Sequence, residues 1–229
     1  MRQLLAIFLL VSCVFSVKAQ ESVFKPQLYI GAGGGALFST VDFVPALTQK
    51  SHPGIHGGIS AKYISEKHLG LLLEANIAQR GWEEAYDNNP EFSYSRNLTY
   101  LEIPLLTHVY FGNKVRFIFN AGPQISFLMG SKSNMSQALS DHVAQQTNPT
   151  TGPYIRYQDA DRKFDYGLVG GVGMAIKTGV GDFDLEGRYY FGLGDIFTTK
   201  RDEAAGTGYY SRSAHRIIEA KLTYYLKIF

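Results

Sequence analysis

Eight stretches of this chain alternate apolar and polar side chains with a period of two, and the gaps between them alternate between long and short. In the third stretch Leu69, Leu71, Leu73, Ala75 and Ile77 share one parity, and Leu72, Glu74, Asn76, Ala78 and Arg80 share the other. The fourth sets Leu101, Ile103, Leu105 and Val109 against Tyr100, Glu102, Leu106 and His108. The fifth sets Val115, Phe117, Phe119, Ile125 and Phe127 against Arg116, Asn120, Gln124 and Ser126. In the seventh, Phe183, Leu185, Tyr189, Phe191 and Leu193 oppose Asp184, Glu186, Arg188 and Tyr190. Successive side chains of a pleated strand point to opposite faces, so this period predicts strands. Their expected ranges are 27–38, 54–64, 69–82, 97–111, 115–129, 164–177, 182–194 and 214–228.

Three connections are of hairpin size: Ser65 to His68, Gly112-Asn113-Lys114 and Thr178 to Gly181. They carry Gly and Asn where tight turns require positive φ. The other four, 39–53, 83–96, 130–163 and 195–213, are long and polar. Short turns on one side and long loops on the other predict an all-β, eight-stranded antiparallel up-and-down transmembrane β-barrel in a bacterial outer membrane, with short periplasmic turns and long extracellular loops.

A soluble carrier barrel would alternate too, with its apolar face inward. The polar faces decide against it. They carry Lys62, Arg80, Arg116, Lys177, Arg188 and Lys221 against Glu74, Glu102, Asp165, Glu186 and Glu219, interleaved with Gly, Ser, Asn and Gln. Only 18% of the chain is charged, against about a quarter in soluble domains. Six cations and five anions in a narrow lumen can pair with one another, and an eight-stranded interior is just filled by side chains. A plugged barrel is expected. Hairpin pairing across Thr178 to Gly181 would set Gly173 beside Glu186 and Gly171 beside Arg188, the smallest residues against the largest.

Aromatic side chains fall near the strand ends, as in the interfacial belts of membrane barrels. Tyr63, Phe111, Phe183 and Tyr224 are expected at the short-turn end, and Phe38, Trp82, Phe164, Tyr166 and Phe191 at the long-loop end. Pro104 and Pro123 lie inside predicted strands at similar heights, where one bulge or local fray could accommodate both. Phe229 has the parity of Glu219 and Lys221, so the last strand is expected to twist out of register at its end.

The amino-terminal segment suggests export. Arg2 precedes the apolar run Leu4 to Val17, and Val17-Lys18-Ala19 offers a cleavage site, so residues 1–19 read as a signal peptide and 20–229 as the barrel. The run is too short to span a bilayer as a helix. Cys13, the only cysteine, would leave with the signal, although Leu10-Val11-Ser12-Cys13 also has the form of a lipoprotein box. Without Arg2 and Lys18 the chain is formally neutral, which does not suggest a nucleic-acid partner.

The runs Tyr100-Leu101-Glu102-Ile103-Pro104-Leu105-Leu106 and Asn120-Ala121-Gly122-Pro123 resemble the PorT-type outer-membrane β-barrel family of Bacteroidetes. So do Gly167-Leu168-Val169-Gly170-Gly171-Val172-Gly173, Leu185 to Leu193 and the terminal Phe229. The resemblance implies an outer-membrane barrel. The secretion role of the family's namesake is not singled out by any residue here.

Candidate chemistry is sparse. His56, His108 and Glu102 lie on separate strands without ligand spacing, and His52 adds nothing to them. Gly31 to Gly35 lacks the helix, Lys and Ser/Thr of a phosphate loop. Asp159, Asp161 and Asp165, near Tyr157, lack the Gly and distal Glu of a calcium loop. No catalytic residue, cofactor or metal is expected. Ser136 to Gln146 is expected to form one or two helical turns. The expected function is a monomeric structural or interaction barrel rather than an enzyme. Its contacts would be outer-membrane lipid and a protein or glycan partner at loops 130–163 and 195–213, where Tyr154, Tyr157, Tyr209 and Tyr210 lie. A narrow solute channel and an outer-membrane enzyme are the alternatives.

Overall fold

The computed structural model describes residues 24–146, 152–160, 162–198 and 209–229. The strands are β1 (Gln27–Val44), β2 (Gln49–Lys50), β3 (His52–Glu66), β4 (Leu69–Glu84), β5 (Tyr94–Gly112), β6 (Val115–Met135), β7 (Phe164–Lys177), β8 (Asp182–Gly192) and β9 (Arg212–Lys227). A helix α1 (Gln137–Ala144) and a 3-10 turn (Gly152–Tyr157) follow β6.

Every neighbouring pair is antiparallel, and β9 returns to β1 from Tyr29↔Lys227 to Val44↔Arg212, which closes the sheet on itself. The two residues of β2 pair with Glu83 and Glu84 of β4 and continue the β3 position beyond Ser51, so eight strands make the ring. Closure leaves no sheet edge in the hydrocarbon, where unpaired backbone groups would be costly.

The faces divide as the alternation predicts. Leu71, Phe117 and Leu185 are 51%, 61% and 54% exposed on the outer wall, whereas Glu74, Arg80 and Glu186 are buried in the lumen. Arg116 and Lys177 are half-buried at the short-turn end. Gly171↔Arg188 and Gly173↔Glu186 are register partners. A Cβ on Gly171 would run into Glu186 Oε1 and lie 2.8 Å from Arg188 Cγ, so the space that glycine leaves is filled by this charged pair.

Several expectations are corrected. The strands run further outward than the apolar pattern does, so the outer connections of 39–53, 83–96 and 130–163 are shorter than expected. Trp82 does not sit in the lipid belt: it is fully buried at the barrel mouth, because it shares the parity of Arg80 and Glu74. Phe38, Phe164, Tyr166 and Phe191 do face outward, as do Tyr63, Phe111 and Phe183. Of the two accommodations expected for Pro104 and Pro123, the bulge does not occur and the local fray does. The β4–β5 pairing skips from Leu73↔Leu105 to Asn76↔Glu102, and β5–β6 skips from Pro104↔Gln124 to Thr107↔Ala121, with register kept across both gaps. The bulge lies higher, at Thr99/Tyr100, where Met129 is the extra residue of β6. The chain end stays hydrogen-bonded to β1 through Ile228 N to Leu28 O and Leu28 N to Phe229 O, with Phe229 exposed. At the β3–β4 turn it is His68, not Gly or Asn, that takes positive φ, and its Nδ1 lies 2.8 Å from Tyr110 O.

Candidate functional site

The barrel interior is crossed by side-chain bonds at three levels. Nearest the short turns, Lys62 of β3 donates to Asp184 of β8 at 2.7 Å, with its ammonium 3.8 Å from the Tyr225 ring centroid. In the middle, Glu74 of β4 accepts two hydrogen bonds from Arg188 of β8, 2.8 and 2.9 Å, and one from Lys221 of β9, 2.6 Å. Arg188 also reaches Glu186 at 2.8 Å, and Asn120 joins Glu186 to His108. Above these, Arg80 donates to Asp165 of β7 at 2.7 Å and lies 3.2 Å from Glu102, stacked over Tyr100. Since β4 and β8 stand on opposite sides of the ring, the bonds from Glu74 to Arg188 run across the lumen. Charges removed from water are tolerable only when paired in this way.

Burial within the lumen extends to two further acids, Asp182 and Asp184. Asp184 belongs to the polar parity of its strand, but Asp182 stands at the strand start and was not anticipated.

The outer mouth is closed differently. Phe43, Trp82, Tyr94, Leu98, Ile155, Phe197 and Tyr210 form an apolar cluster there, with Phe43 and Trp82 edge to face at 5.4 Å. Over it the 3-10 turn is fastened by Arg156 Nε donating to Glu84 Oε1 at 2.7 Å and by Tyr94 OH donating to Arg156 O at 3.0 Å. Tyr86 OH donates to Glu84 Oε2 at 2.6 Å, and Arg96 donates to Tyr157 O at 3.0 Å. Burial and the nearby Glu84 carboxylate push the Tyr157 phenol up to about 12, and burial with a hydrogen bond to Glu84 raises Tyr86 too. Both are neutral hydrogen-bonding groups at ordinary pH.

Of these fastening residues only Tyr157 stands out in the sequence, as a loop tyrosine and not as a fastener. Trp82 and Glu84 continue the inward parity of β4, and Arg96 that of β5, so carrying the alternation past the apolar stretch would have found them.

The sequence candidates do not converge. His108 is bonded to Asn120, Glu102 faces Arg80, and His56 lies on β3 opposite Gly35 and Ala78. Asp159 reaches Arg96 at 3.3 Å while Asp165 serves Arg80, and Asp161 lies outside the described residues. Among the described residues no group of three His, Cys, Asp or Glu is placed to hold a metal ion. Gly31 to Gly35 lies wholly within β1. Ser136 caps α1 by accepting from Leu139 N, where the helical turns were expected. Of the four loop tyrosines, Tyr209 is exposed, Tyr154 and Tyr157 are half-buried, and Tyr210 is buried in the mouth cluster.

A closed eight-stranded barrel with an apolar exterior and an ionic interior defines an outer-membrane β-barrel. The profile of the outer membrane protein beta-barrel domain family matches residues 19–198, and the chain belongs to that family and to the bacterial outer membrane. A search of curated protein sequences finds no match. Among solved structures the chain is similar to OprG from Pseudomonas aeruginosa, at 12% identity and a TM-score of 0.49 over 87% of this chain and 96% of that one. Neisserial surface protein A matches at 12% identity and 0.42, over 88% and 99% of the two chains. Ail of Yersinia pestis, solved with the heparin analogue sucrose octasulfate, matches at 11% and 0.40, over 89% and 100%.

Proposed function

We propose that this protein is a non-conducting, non-enzymatic barrel that anchors a binding surface for a protein or glycan on the outside of the outer membrane. The cross-lumen contact of Glu74 with Arg188 and Lys221 carries this reading, because an ion would have to displace paired, desolvated charges to pass. The fastened turn over the mouth supports it. Residues 1–19 act as the export signal and the mature chain is a monomer. A secretion-accessory role of the PorT type is a variant of the same reading; it rests on the family resemblance of the motifs in β5, β6, β7 and β8 and on no residue specific to secretion. Planar-bilayer recording of the purified full chain tests it: no steady conductance is expected. A stable open level would establish the narrow-channel alternative in its place.

A further inference from the structure

Above the bilayer the strands differ in how their edges are covered. The upper end of β9 is covered by the segment after β8: Ile196 N donates to Ser213 O, and Ser213 N to Asp195 Oδ1. The upper end of β1 is closed by the Gln49 side chain, which bonds Val41 N and Val41 O. On β6 the pairing with β7 ends at Phe127↔Phe164, and Leu128 N donates to Lys163 O. From Gly130 to Met135 the strand pairs with β5 alone, and from Met129 on its other edge has no backbone partner among the described residues. The helix α1 that follows does not cover it. Leu139 belongs to the mouth cluster and His142 packs on Phe92, which carries the helix toward the β4–β5 connection.

The bulge at Met129 resets the alternation. Ser131 and Ser133 now stand opposite inward-facing Leu98 and Arg96, with Arg96 donating to Ser131 Oγ, while Lys132 takes the outward parity. Residues 130–134 are all exposed. At the foot of the edge, Leu128 to Ser131 and Asp159, Ala160 and Lys163 line a notch of about 230 Å³. An extended strand with one open row of N–H and C=O groups is a template for another strand.

The geometry points to this edge, Met129 to Met135, as a docking site for an extended acidic segment of another protein, which adds to the sheet as a further strand. This inference rests on the surface-binding reading and names its partner class. Charge selects the occupant. Lys132 and Lys163 are exposed at the edge, with Arg162 next to Lys163 in the chain; Asp159 in the notch is exposed too, but its carboxylate lies 3.3 Å from the Arg96 guanidinium. A second copy of this chain, paired antiparallel along all seven residues, would set Lys132 opposite its own counterpart, and like charges directly opposed are unfavourable. An anionic lipid surface would satisfy the cations and leave the backbone row unpaired.

The test uses the full chain in lipid nanodiscs and three synthetic peptides: an alternating Glu/Val/Thr strand, its Lys counterpart, and the acidic strand with a central proline. The acidic peptide is expected to bind and to slow amide exchange within 129–135 about tenfold. Lys132→Glu should weaken it about fivefold by turning a cross-strand attraction into repulsion. Equal binding of the proline peptide would show that charge alone is at work, and would overturn strand addition. Protection elsewhere, or an edge-dependent dimer in sedimentation, would overturn it as well. Bilayer recording of the same Lys132→Glu sample separates the two claims: a silent barrel that ignores the acidic peptide removes the docking edge and leaves the non-conducting reading standing.

Discussion

The barrel wall inside the bilayer and its continuation above it obey different rules. Within the membrane the pairing closes through all eight strands, the parity holds, and charge is matched across the lumen. Above it β6 changes parity at a bulge, its outer edge has no backbone partner among the described residues, and the interior is capped by aromatic rings and a fastened turn. Hydrocarbon explains the difference. An unpaired N–H or a buried lone charge costs several kcal/mol where no water reaches it, and far less where water does. Closure is therefore compulsory below, and variation is affordable only above, where a partner could meet the chain.

If that contrast is right, damage below should be global. Arg188→Ala removes two hydrogen bonds from Glu74 and the ion pair with Glu186, all buried. Unfolding in urea from detergent micelles should show a loss of about 3–5 kcal/mol, the usual consequence of stranding buried charge. A loss under about 1 kcal/mol would mean that water screens the network as it does at a surface, and the contrast would collapse.

A pair of adjacent glycines sharpens the comparison at smaller scale. Gly171 faces the lumen against Glu186 and Arg188, whereas a Cβ on Gly170 would meet nothing within 4 Å. Gly171→Ala should lower stability by about 1–3 kcal/mol, because the ion pair must shift to admit the methyl group. Gly170→Ala should stay within about 0.5 kcal/mol. Equal effects would place the glycines' role in backbone flexibility instead of lumen volume.

These same residues show what the chain reveals by itself. Glu74, Glu186, Arg188 and Lys221 are visible because confinement on one face and hydrocarbon on the other impose the period of two. The partnering of Glu74 with Arg188 could be anticipated only as pairing in general, since 114 residues separate them. The strand ends were illegible for the converse reason: beyond the bilayer no lipid selects apolar side chains, so Ser131 to Asn134 read as loop although they are strand. Trp82 was misplaced because aromatic position was allowed to outrank parity. Its neighbours Arg80 and Glu84, both inward, carried the better signal. The Arg156 to Glu84 contact joins residues 72 apart and left no local trace.

The turn over the mouth gives the smallest expected effect and the one confined above the membrane. Tyr157 OH accepts from Arg156 Nη2 at 2.6 Å and donates to Glu84 Oε2 at 3.3 Å, so its oxygen sits between a cation and a carboxylate. Its folded pKa of about 12 lies above the ordinary tyrosine value of 10.0. The neutral phenol is therefore the form the folded mouth prefers. Its contribution is complete below pH 10 and is lost as pH climbs toward 12, with no counterpart at acid pH. Ultraviolet difference titration of the parent against Tyr157→Phe should show one phenol ionising near 12, while the β-sheet circular dichroism stays unchanged over the same range. A difference spectrum centred near 10 would mean that the turn stands away from Glu84 in solution, and a simultaneous loss of sheet would mean that the mouth and the membrane wall are one cooperative unit after all.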